Sequence, residues 1–351
     1  MRVDEHRWAR RVRRLVASLL SVAAALVAAA SAQAGALRVV ATLPDLADLA
    51  REIGGEEVQV KGLVGGGQDP HFIQAKPSFI SALHRADLFV YNGLSLEIGW
   101  VPPLVQNARN SRILAGKPGD FDASREVPLL GVVRGGVDRS MGDVHAEGNP
   151  HYLLDPVQGL RVARRMRDRL SELRADKADY FGARYADFRR RLVVALVGEG
   201  AAERLGVEAI ARAGLEGRLD AWLREAGAWD ALGGWLGAVR PDQGAPVVAD
   251  HDLWPYFAKR FGVRVVGFLE PLPGVTPSTR HLGALAAQMQ AEHVSVILSA
   301  AYFHSRYARK LEEATGARMV EMANQVGARP GVETYLEMCN WNVTRLADAL
   351  R

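Results

Sequence analysis

Cysteine is nearly absent: Cys339 is the only one in 351 residues. One thiol cannot make an intramolecular disulfide. It falls in a helical pattern near the C-terminus and reads as packing. Aromatic residues make up only 7%, and none interleaves with a basic cluster, so the footprint of nucleic-acid binding is missing. No apolar run reaches the ~20 residues that span a bilayer. The sequence contains no H-E-x-x-H, G-x-S-x-G or G-x-G-x-x-G. A zincin helix, a nucleophile elbow and a dinucleotide fingerprint are thereby excluded.

What is present begins with a basic stretch, MRVDEHRWARRVRR. An apolar run from Leu15 to Ala30 follows, and then a small-x-small step, Ala32 to Ala34. This is the pattern of a secretory signal, residues 1–34, cleaved near Ala34 and leading to the periplasm. No cysteine follows the apolar run, so no lipid anchor is expected at the new N-terminus. The full chain holds 44 Lys and Arg against 40 Asp and Glu, and the signal holds six Arg and two acids. The remainder therefore has 38 of each sign, a neutral protein. At 48% hydrophobic content it has ample material for a core.

Alternation of strand and helix patterns fills residues 35–155. ALRVVAT, EEVQVKGLV, LFVYNG and SRILAG read as four strands. PDLADLAREIGG and KPSFISALHRAD read as helices, the first with Gly54 as its C-cap. Residues 156–244 read as helical, with a break at RADKAD and a Pro/Gly linker at VRPDQGAP. The alternation resumes over 245–351, with Ser278 as an N-cap and Gly262 as a helix stop. The expected architecture is α/β: two lobes with parallel sheets flanked by helices, joined by a long helical connector.

Nine histidines are present, with no H-x₃-H spacing. His84, His281, His293 and His304 fall in helices or at their ends and read as packed or solvated. His71 in GGGQDPHF and His251 in VVADHDLWPYF follow strands, where open α/β sheets bind ligands. His151 in GNPHYLLDP closes the first lobe. Pro70 and Pro150 stiffen the loops just before two of these rings. Neutral imidazoles suit Zn²⁺, and Asp69, Asp143, Asp250 and Asp252 lie near enough to orient them. Spacing alone leaves open that these are three unrelated loop histidines. His145, six residues before His151 in a Gly-flanked arm, reads as a solvated bystander or a transient hand-over ligand. Glu270 either faces the cleft or caps nearby backbone.

QDPHFIQAKPS, ADLFVYNGLSLEIGW, GNPHYLLDP, VVADHDLWPYF and EPLPGVTPS, in this order, resemble the zinc/manganese-binding proteins of bacterial ABC importers. The resemblance spans nearly the whole exported chain. It implies a metal site in the interlobe cleft with His71, His151 and His251 as ligands, and an ABC permease as partner. The chain departs from the family in three places. Where many members carry a late carboxylate ligand, it reads VEMANQVG, with Asn324 near that point and Glu321 inside the strand. Residues 196–241 extend the usual connector, and a long His-rich loop is missing. Three imidazoles without a carboxylate favour Zn²⁺ cargo over Mn²⁺. A monomeric binding protein, not an enzyme, is expected. A manganese-binding member of the same family, a zinc-dependent hydrolase with Asp250 as base, and an adhesin on the same scaffold are the other readings.

Overall fold

Eight short strands form two four-stranded sheets of the same design. This computed structural model describes residues 35–132, 145–271 and 275–351; the expected signal and Asp143 lie outside them. In the first sheet β1 (Leu37–Ala41), β2 (Val58–Gly62), β3 (Leu88–Tyr91) and β4 (Asp120–Asp122) stand in the order β2-β1-β3-β4. In the second, β5 (Pro246–Ala249), β6 (Arg264–Phe268), β7 (Val296–Ser299) and β8 (Arg318–Glu321) stand in the order β6-β5-β7-β8. Every pairing is parallel, so each return crosses over, mostly through helices. Both sheets reverse direction of growth between their first and third strands. The crevice beyond the carboxyl ends at such a switch point is where open sheets bind ligands.

Helices α1 (Pro44–Gly54), α2 (Pro77–His84) and α3 (Val101–Ala108) flank the first sheet. Each carries proline in its first turn, where the missing N–H costs nothing. The connector holds α4 (Pro156–Leu173), α5 (Ala178–Val197), α6 (Glu199–Leu205), α7 (Val207–Leu215), α8 (Leu219–Glu225) and α9 (Gly234–Val239). The second sheet is flanked by α10 (Pro255–Phe261), α11 (Thr279–Ala291), α12 (Arg306–Thr315) and α13 (Tyr335–Leu350). Ser278 caps α11 by accepting from the His281 N–H, and Gly262 ends α10 at φ 73°.

Two local expectations are corrected. SRILAG is not a strand. Its residues Ser111–Ile113 form a 3₁₀ turn, because the Asn110 side chain accepts from the Arg112 N–H and donates to the carbonyls of Leu83 and Ala86. The fourth strand is β4, a few residues later. α1 is ended by Gly55, which takes φ 52° and donates to the Arg51 carbonyl, while Gly54 keeps helical angles.

The central strands β1, β3, β5 and β7 are apolar on both faces, and the two faces serve different cores. Val40 and Phe89 look into a small cluster under α2 and α3. Val248 and Ile297 look into a matching cluster under α11 and α12. The opposite faces, through Val39, Val90, Val247 and Leu298, share one continuous core with the connector helices. A buried ion pair reinforces this join. Asp155 caps α4 and accepts from the Arg260 Nε and Nη2 of α10 at 2.8 and 3.1 Å.

Candidate metal centre

His71 sits on the loop between β2 and α2. Buried Trp100 donates from its indole N–H to the Pro70 carbonyl at 2.9 Å and so fixes the residue before the histidine. Asp69 Oδ1 accepts from the His71 backbone N–H at 3.0 Å and lies 2.7 Å from ring Nδ1. A carboxylate only accepts, so the proton belongs on Nδ1 and the Nε2 lone pair is free. Burial pushes the Asp69 carboxyl up, but the bonds from His71 outweigh it and hold it below the usual carboxylate range.

His151 follows Asn149 and Pro150 on the chain leading into α4. Asn149 Oδ1 accepts from the His151 backbone N–H at 3.0 Å, and its Nδ2 donates to the Asp252 carbonyl at 2.7 Å. One side chain thus ties the His151 loop to the loop after β5. His251 stands at the switch point of the second sheet. Asp250 does not orient its ring, as the sequence suggested it could. Both carboxylate oxygens are taken up, Oδ1 by the His251 N–H and the Trp254 indole, Oδ2 by the Ala300 N–H. Asp250 is an anchor for the strand end, which also removes it as a base. Burial alone drives its carboxyl up to about 6.

The three rings meet in the cleft. Ring centroids of His71 and His151 are 5.7 Å apart, and those of His151 and His251 are 6.0 Å apart. Imidazoles bound to one tetrahedral Zn²⁺ at ~2.0–2.1 Å would have centroids about 5 Å apart. The cluster is therefore slightly open, and among the described residues no group of three or more ligating side chains has the spacing of a formed site. Phe303 covers His251 at 5.0 Å, and the buried His251 Nδ1 has no hydrogen-bond partner among the described residues.

His145 is not the solvated bystander that its sequence context suggested. It is half-buried, its ring stacks on His71 at 5.2 Å, and the two Nε2 atoms are 3.1 Å apart. Burial and the neighbouring His71 push the His145 ring down to about 4. The same causes bring His251 to about 4 and hold His151 well below the ordinary imidazole value. All three stay neutral, the form that ligates.

The other candidates fall elsewhere. Glu321 belongs to β8, is exposed and lies 3.7 Å from Arg329. Asn324 lines a small cavity with His151, Asp45 and Asn92, and its Oδ1 has no partner among the described residues. Glu270 extends β6, its N–H donating to the Asp250 carbonyl. His84 and His281 are structural, bonded through ring nitrogens to the carbonyls of Ala108 and Phe268. The sequence reading passed over Asn149 and Gln325. Gln325 Nε2 reaches the carbonyls of Gly65, Gly66 and Gln68 at 3.1, 2.9 and 2.7 Å, and so latches the loop before His71 to the second lobe. Only the position of Asn149, two residues before a histidine, hinted at its role.

The family model described as zinc-uptake complex component A, periplasmic, matches residues 39–195 and 228–349. The unmatched residues between them hold α6, α7 and α8, inside the expected connector extension. The zinc-binding protein TroA of Treponema pallidum (strain Nichols) is 23% identical over 320 residues, 89% of this chain and 88% of that protein. The manganese ABC transporter substrate-binding lipoprotein PsaA of Streptococcus anginosus is 29% identical over 186 residues, 51% of this chain and 56% of that one. For several such relatives the match spans about half of their length or less. The crystal structure of ZnuA superposes with a TM-score of 0.65 at 20% identity, covering 90% of this chain and all of that one. Matched on both sides of its extra helices, this chain belongs to the ZnuA family, the metal-binding substrate-binding components of zinc and manganese ABC transporters.

Proposed function

We propose that this chain captures Zn²⁺ in the periplasm, between its two lobes, and delivers it to the permease of an ABC importer. The observation that carries the reading is the meeting of His71, His151 and His251, drawn from both sheets, in one cleft. The donors are neutral nitrogens, which suit Zn²⁺, whereas Mn²⁺ favours oxygen-rich sets. The ion draws the slightly open rings together, so binding and lobe closure are one event. The shared core and the Arg260–Asp155 pair limit that closure to a small tilt. Residues 1–34 act as the export signal, 35–155 and 245–351 as the two lobes, and 156–244 as the connector of a monomer.

The test is metal analysis with a competitive zinc titration of the purified protein and its His71→Ala, His151→Ala and His251→Ala variants. Each variant loses affinity beyond the roughly 10–100-fold expected for an outer partner. Tight binding retained in all three, or manganese preferred by the unaltered protein, overturns the reading.

A further inference from the structure

We propose that His145 is the fourth ligand of this centre, which makes the site all-imidazole and sets its preference for zinc. The inference rests on the metal-binding reading above and adds the donor that the family's late carboxylate would otherwise supply.

Tautomer chemistry gives the first reason. The Nδ1 of His71 faces the Asp69 carboxylate at 2.7 Å and must carry the proton. The His145 ring bonds to the backbone of Leu94. Its Nε2 is turned to His71, so Nδ1 is the nitrogen left to donate to that carbonyl. Both Nε2 atoms are then acceptors, and they face each other at 3.1 Å. Two lone pairs at that distance repel unless a cation or proton stands between them. Two nitrogens on one tetrahedral Zn²⁺ would be about 3.3 Å apart, given Zn–N of ~2.0–2.1 Å. Ligating histidines almost always give their other N–H to a carboxylate or a backbone carbonyl, and these two do both.

Backbone strain gives the second reason. Gly93, Leu94 and Ser95 all take left-handed φ, at 80°, 52° and 61°. Glycine does so freely, but a bulky Leu does not. The run holds the Leu94 backbone against the His145 ring, while Ser95 Oγ donates to Glu147 Oε2 at 3.2 Å. The arm is thus fastened at His145 itself and again two residues later at Glu147. Strain kept at a site where it positions a side chain points to function.

The competing donor is Asn324, whose orphaned amide oxygen lines the cavity beside His151. It is neutral and a poorer zinc ligand than imidazole.

The test is zinc-edge X-ray absorption on the full exported chain loaded with one equivalent of Zn²⁺, which counts imidazoles directly. The expected result is four imidazoles in the unaltered protein and three plus one oxygen in His145→Ala, with zinc affinity down more than roughly tenfold. His145→Asp should narrow the zinc-over-manganese ratio by supplying an oxygen. Three imidazoles and an oxygen in the unaltered protein overturn the proposal and leave the metal-binding reading standing. Loss of that oxygen in Asn324→Leu would assign the fourth place to Asn324. Failure of the unaltered protein to bind zinc overturns both. The count in the unaltered protein decides the matter even if a variant folds poorly.

Discussion

The two sheets share strand order and direction but use their strand ends differently. At the switch point of the second sheet, β5 runs straight into Asp250 and His251, an anchor followed by a candidate ligand. At the equivalent point of the first sheet, β1 is followed by Thr42, whose hydroxyl donates to buried Glu97 at 2.7 Å, and no histidine is there. That lobe brings its histidines from further out: His71 from the loop after β2, and His145 and His151 from the segment leaving the first sheet. Topology therefore decides where a cleft opens, and the loops decide what chemistry enters it.

The comparison can be broken first at the join between the halves. Asp155→Leu removes a helix cap and leaves Arg260 buried without its main partner. Losing one member of a buried pair costs about 3–5 kcal/mol. Urea unfolding of the zinc-free protein measures it, and a loss under about 1 kcal/mol would mean the pair is not what couples the lobes.

The next test contrasts two buried acids. Asp250 is well bonded, whereas Asp45 in α1 accepts a long 3.4 Å bond from the Val326 N–H and one from its own backbone N–H. Burial, with Asp48 adding to it, pushes Asp45 up to about 7. A raised folded value means that its stabilising contribution is complete below about pH 4 and lost as pH rises through about 7. Relative to Asp45→Asn, the zinc-free unaltered protein should lose on the order of 2 kcal/mol between pH 5 and pH 8. Parallel unfolding curves for the two proteins at both pH values would refute this.

A smaller effect sharpens the difference between the rings. His71 has a carboxylate partner, so Asp69→Ala should weaken zinc binding roughly 10–100-fold without altering the fold. Unchanged affinity by competitive titration would show that Asp69 does not orient the ligand. The smallest effect belongs to a histidine outside the cleft. His84→Ala should cost about 1 kcal/mol through its lost bond to the Ala108 carbonyl and leave zinc affinity untouched.

Much of the fold was legible because its signals are local. Apolar strands, the Ser278 cap and the Gly262 stop each act within a few residues. The misread strand at SRILAG shows the limit, since apolar Ile113 and Leu114 look like a strand until Asn110 bonds across to α2 and its end. Asp250 was misjudged for a similar reason: the groups that use its carboxylate include the Ala300 N–H, fifty residues away.

By itself, the sequence determined the alternation of strands and helices and the placing of His71 and His251 after strands, because periodicity and capping are short-range. The tertiary structure decided which rings meet. His145 and His71 are 74 residues apart, and Gln325 is some 260 residues from the carbonyls it holds. No local pattern encodes such a contact; it exists only once two sheets and a shared core have set the loops face to face.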